Sequence, residues 1–142
     1  MRLTYETEIT LNKPIEDVIR IMFDYHQMRF YGVPKLDHHV HLVSKPPLEG
    51  AITELYYQNK DETYKMVEVI LENNLPKSIT REYTLGAVKN KCKDSFTEVN
   101  GITTWKMDVL FVFSENHPVD KETFEKTTLK QMNAFKDYIE LI

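Results

Sequence analysis

Three imidazoles fall within four residues in Asp37-His38-His39-Val40-His41, the densest concentration of metal-ligating and proton-transferring side chains in the chain. On a strand only His39 and His41 share a face. A histidine pair needs a further ligand from elsewhere, and no Cys-x-x-Cys or His-Glu-x-x-His companion is present to supply it. The run therefore predicts structural or solvated histidines and no metal site. The chemistry left to it is that of an imidazole serving as general acid or base at the mouth of a pocket. Nucleophilic catalysis has less to work with. Cys92 is the lone cysteine, in a strand setting where a small buried thiol is inert. Ser78, Ser95 and Ser114 lack a nucleophile-elbow context. None of the 4 glycines lies within four positions of another, so no phosphate-cradling loop exists, and phosphoryl and hydride transfer drop out. No cofactor is expected. Tyr25, Tyr31, Tyr56, Tyr64 and Tyr83 are available as proton donors, although tyrosines at strand positions usually pack with a wet hydroxyl.

The elements that must position these groups are bounded by composition. A chain of 142 residues with 42% apolar and 28% charged residues has room for one domain, residues 1 to 142, with its own core. Sixteen aromatic side chains (7 Phe, 8 Tyr, 1 Trp) argue against disorder. The net charge of −4 and the scattered basic residues remove the electrostatic footprint of a nucleic-acid binder. Lys89, Lys91 and Lys93 alternate with other residues at strand spacing, which predicts a solvated outer sheet face. No apolar run approaches the length of a membrane span, and the start Met-Arg-Leu-Thr-Tyr-Glu does not read as an export signal. Together with the single cysteine, this predicts a cytoplasmic protein.

Leu3, Tyr5, Thr7, Ile9 and Leu11 alternate with polar residues at period two, the pattern of a half-buried strand. Pro14, with Glu16 and Asp17 after it, opens a short helix carrying Val18, Met22 and Tyr25 on one side. An aromatic-rich second helix through Phe30 and Tyr31 is broken by Gly32 and Pro34. From residue 38 to 113, turn signals at Pro46-Pro47 and Gly50, Asn59-Lys60-Asp61, Asn73 to Pro76, Gly86 and Asn100-Gly101 mark off six strands. Asn100-Gly101 suits a two-residue hairpin with positive φ at both positions. That hairpin sets Val99 opposite Ile102, Phe96 opposite Trp105, Asp94 opposite Met107, Cys92 opposite Val109 and Asn90 opposite Phe111. A tight turn at Gly86-Ala87 brings Arg81 near Asp94. After His117-Pro118, Asp120 is placed to cap a helix over residues 121 to 141, with Phe124, Thr128, Met132, Phe135, Ile139 and Ile142 on one side.

The order strand, two short helices, six antiparallel strands and a long C-terminal helix resembles the START-like or SRPBCC superfamily, the helix-grip fold. Local marks add to it: Lys13-Pro14-Ile15-Glu16-Asp17-Val18, Leu48-Glu49-Gly50, and Met66 to Glu72 followed by Leu75-Pro76. The resemblance implies an α+β fold in which a seven-stranded antiparallel sheet (β-α-α-β6-α) wraps around the C-terminal helix. It further implies a deep, mostly apolar cavity between the two, gated by the short helices and nearby loops. That superfamily has no universal catalytic set, so no functional residue is carried over by motif.

On the residues themselves, Trp105, Met107, Phe111, Met132 and Phe135 are expected to form the apolar wall of that cavity. Asn90 and Asp94 share the same sheet face, where an unpartnered polar group costs roughly 1 to 3 kcal/mol. Two readings of them stay open. Arg81 and Asp94 either satisfy one another near the sheet rim, or, with Tyr83 and Asn90, orient a ligand. The expected function is binding of a small hydrophobic molecule: a lipid, a polyketide-like compound or an aromatic metabolite. A polyketide cyclase or dehydratase using a cavity acid or base is one alternative, and a chaperone-activator-like interaction module is the other. Tyr25, Phe30 and Tyr31 either gate the cavity or seal the core, and the outer strands leave room for a homodimer.

Overall fold

The computed structural model describes residues 1 to 114 and 119 to 142, and the His117-Pro118 break lies outside the described residues. The chain runs β1 (Arg2–Leu11), α1 (Ile15–Met22), α2 (Met28–Tyr31), β2 (Lys35–Val43), β3 (Ile52–Asn59), β4 (Glu62–Asn74), β5 (Ser78–Leu85), β6 (Val88–Val99), β7 (Ile102–Phe113) and α3 (Lys121–Leu141). The strands form one antiparallel sheet of seven in the order β1-β7-β6-β5-β4-β3-β2. Consecutive strands from β2 to β7 are neighbours joined by short turns. The two helices after β1 carry the chain across to the opposite edge. This is the helix-grip architecture, with α3 held against the inner face.

Local chemistry accounts for the elements. Asn100 and Gly101 adopt φ of 52° and 77°, the left-handed values a two-residue hairpin requires. The resulting register sets Val99 opposite Ile102 and continues unbroken to Val88 opposite Phe113. At the other end of β6, Leu85 pairs with Val88 across Gly86, and Arg81 falls opposite Cys92. Helix α3 starts where Asp120 accepts hydrogen bonds from the Glu122 amide at 3.1 Å and the Thr123 hydroxyl at 2.8 Å. Helix α1 takes its cap from outside: Glu98 of β6 accepts the Ile15 amide at 2.6 Å, and Pro14 stands just before the first turn. A carboxylate there also opposes the positive end of the helix dipole.

Helix α3 buries Thr128, Met132, Phe135 and Ile139, while Ile142, expected on the same side, is exposed. It is tied to β1 along its length. Tyr5 and Thr128 share a hydrogen bond of 2.7 Å, and near its C-terminal end Lys136 donates to the Thr10 carbonyl at 2.8 Å and Glu140 accepts from the Asn12 amide at 2.8 Å. Lys89, Lys91 and Lys93 lie on the outer face, exposed to solvent.

Candidate functional site

Between α3 and the inner face of the sheet lies a cavity of about 490 Å³. Tyr83, Asn90, Trp105, Met107, Phe111, Met132 and Phe135 all line it. The period-two pattern brings them together. Trp105, Met107 and Phe111 alternate along β7, and Asn90 sits opposite Phe111 on β6 and opposite Tyr83 on β5. From the helix side Phe135 packs edge-on against Trp105 at 5.6 Å, and Phe124 against Phe111 at 4.9 Å. The rim includes Gly32, Val33 and Pro34 after α2 and Leu85 and Val88 at the β5–β6 turn. Gly32 is there for space: a Cβ would stand 2.8 Å from the Met28 carbonyl oxygen.

Asp94 does not line the cavity, and its placement as a ligand-orienting group is corrected. It is fully buried, and both of its oxygens are spent within the protein. Arg81 donates to Oδ2 through Nε at 3.2 Å and Nη2 at 2.9 Å, and the Trp105 indole donates to Oδ1 at 2.8 Å. Arg81 and Asp94 therefore satisfy one another in the core, and not at the sheet rim. Arg81 does reach the cavity wall, with its guanidinium also over the Phe23 ring at 5.3 Å and the Tyr83 ring at 5.8 Å.

The same network contains a residue that sequence reasoning passed over. Glu68 on β4 is 1% exposed, accepts the Tyr25 hydroxyl through Oε1, and lies 3.7 Å from Arg81 through Oε2. At that distance Oε2 makes an ion pair without a hydrogen bond, and it is a buried oxygen with no hydrogen-bond partner. Glu68 pairs with Tyr83, Arg81 with Ile70 and with Cys92, and Asp94 with Met107. Each polar contact is thus a diagonal one, and Glu68, Arg81, Asp94 and Trp105 step across four adjacent strands. A signal for Glu68 existed: a carboxylate inside Met66-Val67-Glu68-Val69-Ile70-Leu71 interrupts an apolar run. Because both phases of that run are apolar, alternation did not say which way Glu68 faced.

Burial works against the charge on Arg81, but Asp94 and then Tyr83 and Glu68 outweigh it and hold the guanidinium well above its usual range. Burial, and next the charge of Glu68, push the Tyr25 hydroxyl up. Burial likewise raises Tyr31, Tyr57 and Tyr83, so these phenols stay protonated. Burial pushes the Cys92 thiol up to about 12, and it donates to Asn90 at 3.3 Å. No thiolate forms there at neutral pH.

The histidine run divides as strand geometry requires. His38 faces out, stacks on Tyr56 at 4.3 Å and pairs with Asp37 at 2.7 Å. His39 and His41 face inward, 4.8 Å apart, each against the Tyr25 ring, and His41 bonds Thr53 at 2.9 Å. His26 joins them at 4.9 Å from His39. Among the described residues no group of three or more such side chains could hold a metal ion. Of the aromatic trio near α2, Tyr25 is a core residue and Tyr31 lines the cavity against Phe135 at 5.2 Å. Phe30 is 72% exposed and seals nothing.

Known structures share this architecture. Ara h 8.0201 matches with a TM-score of 0.82 at 13% identity, covering 100% of both chains. The Zhui aromatase/cyclase from Streptomyces sp. R1128 matches at 0.75 and 12% identity, over 99% of this chain and 94% of that one. A START superfamily protein from Mycobacterium smegmatis matches at 0.76 and 12%, over 98% of each chain. No family model and no curated protein matches the chain by sequence. The likenesses establish a START-like helix-grip fold. Among the described residues no helix is long and apolar enough to cross a membrane.

Proposed function

We propose that residues 1 to 142 form one domain that binds a small hydrophobic molecule in the space between α3 and the sheet. The observation that carries this reading is the cavity of about 490 Å³, within the range that holds small ligands, lined by Trp105, Met107, Phe111, Met132 and Phe135 with few polar groups. Tyr83 and Asn90 are the groups that orient the ligand, and Arg81 takes the part first given to Asp94. Open space at this position also weighs against an interaction module whose interior is filled by its own side chains. The aromatase/cyclase among the structural relatives keeps an enzymatic version in view, in which the same wall folds a reactive chain beside the cavity tyrosines.

The test is direct. Native mass spectrometry of protein purified from cells is expected to show an added mass that disappears on denaturation. N-phenyl-1-naphthylamine, a neutral apolar dye, is expected to gain fluorescence in the cavity, and Met107→Trp, which narrows it, to reduce that gain. Equal native and denatured masses together with no dye binding would remove the proposal.

A further inference from the structure

Among the described residues, the free polar groups of this cavity nearest Arg81 can all donate. Arg81 commits Nε and Nη2 to Asp94, while Nη1 stands 3.7 Å from Glu68, too far for a hydrogen bond, and the guanidinium also acts on the Tyr25 hydroxyl. Tyr31, Tyr57 and Tyr83 line the cavity and have no hydrogen-bond partner for their hydroxyls among the described residues. Asn90 uses its carbonyl oxygen to accept from Cys92, which leaves its amide N–H groups unspent. Arg81 and the Asn90 amide N–H groups can only donate, and the tyrosine hydroxyls can donate as well as accept, so this part of the cavity suits an oxygen that accepts.

Charge decides which oxygen. Glu68, Arg81 and Asp94 are at most 6% exposed, and their formal charges sum to one net negative. Arg81 serves two carboxylates and satisfies one; the orphaned Oε2 of Glu68 marks the surplus. A ligand carboxylate on Nη1 would bring a third anion to one guanidinium, at low dielectric and out of reach of solvent counterions. A cationic ligand fares no better, because the guanidinium lines the cavity and Glu68 does not.

Resting on the binding reading above, we propose that the cavity selects uncharged ligands bearing a hydrogen-bond acceptor, such as a ketone, quinone or ester oxygen, with Arg81 as the donor and Glu68 as the residue that turns carboxylates away. Glu68 acts by an unfavourable element aimed at the wrong ligand, the usual route to discrimination between molecules of one shape.

Three naphthalenes of nearly equal size test both halves by displacement of N-phenyl-1-naphthylamine at neutral pH: 2-acetylnaphthalene, 2-ethylnaphthalene and 2-naphthoate. In the unaltered protein the ketone is expected to bind at least as tightly as the more hydrophobic ethyl compound, and 2-naphthoate the weakest. In Glu68→Gln the carboxylate is expected to gain about tenfold while the ketone stays within about twofold, because the variant removes the surplus charge and keeps the shape. Glu62→Gln, which removes an exposed charge, is expected to leave the ratio unchanged. Should Glu68→Gln not fold, Glu68→Met carries the same comparison, and the ketone-to-ethyl ratio in the unaltered protein stands without either. A tighter ethyl compound, or a carboxylate-to-ketone ratio that ignores Glu68, overturns the proposal while leaving hydrophobic binding intact. If the dye does not bind, the binding reading falls first and this one with it.

Discussion

Under α3 the sheet presents Leu3, Val109, Phe111 and Phe113, which need only contact; toward α1 and Tyr25 it presents Glu68, Arg81 and Asp94, which need one another. The two halves of one inner surface obey different rules. Apolar contact is additive and tolerant of shape, so that half can leave a cavity and lose only the contacts that line it. The ionic half is less tolerant, because removing Arg81 leaves Glu68 and Asp94 charged, buried and unpaired. The inner surface thus joins an adaptable apolar space to one rigid polar corner.

The largest break in that comparison is Arg81→Met, which strands Glu68 and Asp94 and is expected to lower stability by about 4 kcal/mol in urea unfolding. Phe135→Ala, from the apolar half, is expected to cost about 3 kcal/mol, the lower end for such truncations because it borders space that already exists. A greater loss from Phe135→Ala than from Arg81→Met would contradict the contrast. Tyr25→Phe keeps the ring against His39 and His41 and removes only the hydroxyl that Glu68 accepts, so about 2 kcal/mol is expected. Asp120→Ala touches neither half, and loss of the α3 cap should cost about 1 kcal/mol in the same assay.

The smallest effect is a pH slope at the histidine rim. Burial, followed by neighbouring charge, holds His39 and His41 below the ordinary value of 6.5 in the folded state. The unfolded chain then binds more protons, so their contribution is present above about 6.5 and is lost as pH falls through that value toward the folded one. Unfolding midpoints measured from neutral to mildly acidic pH should decline, and the double variant His39→Asn, His41→Asn should flatten that part of the decline. An unchanged slope would mean that these rings are as hydrated folded as unfolded.

Much of this is legible in the sequence. Asn100-Gly101 determined the β6–β7 register to the residue, and through it the shared face of Asn90, Trp105, Met107 and Phe111. Absence of Gly and Pro from 121 to 141, with Asp120 before it, delimited α3. Glu68 was not legible in the same way, since Val67 and Val69 made the opposite strand phase equally apolar and the β4–β5 pairing carries a bulge between Ile70 and Glu72. Asp94 was placed on the correct face and given the wrong neighbour space. Alternation assigns a side of the sheet, while depth depends on what lies above it.

Sequence by itself determined the elements, their order and the registers of β5–β6 and β6–β7, because period-two and helical patterning, turn residues and caps act over a few residues. Only tertiary structure decided that Glu68 and Trp105 join the Arg81–Asp94 pair diagonally across four strands beneath Tyr25, and that space remains between α3 and Met107. Both depend on sums that no local window contains: several strand offsets added together in one case, and the volumes of side chains from opposite ends of the chain in the other.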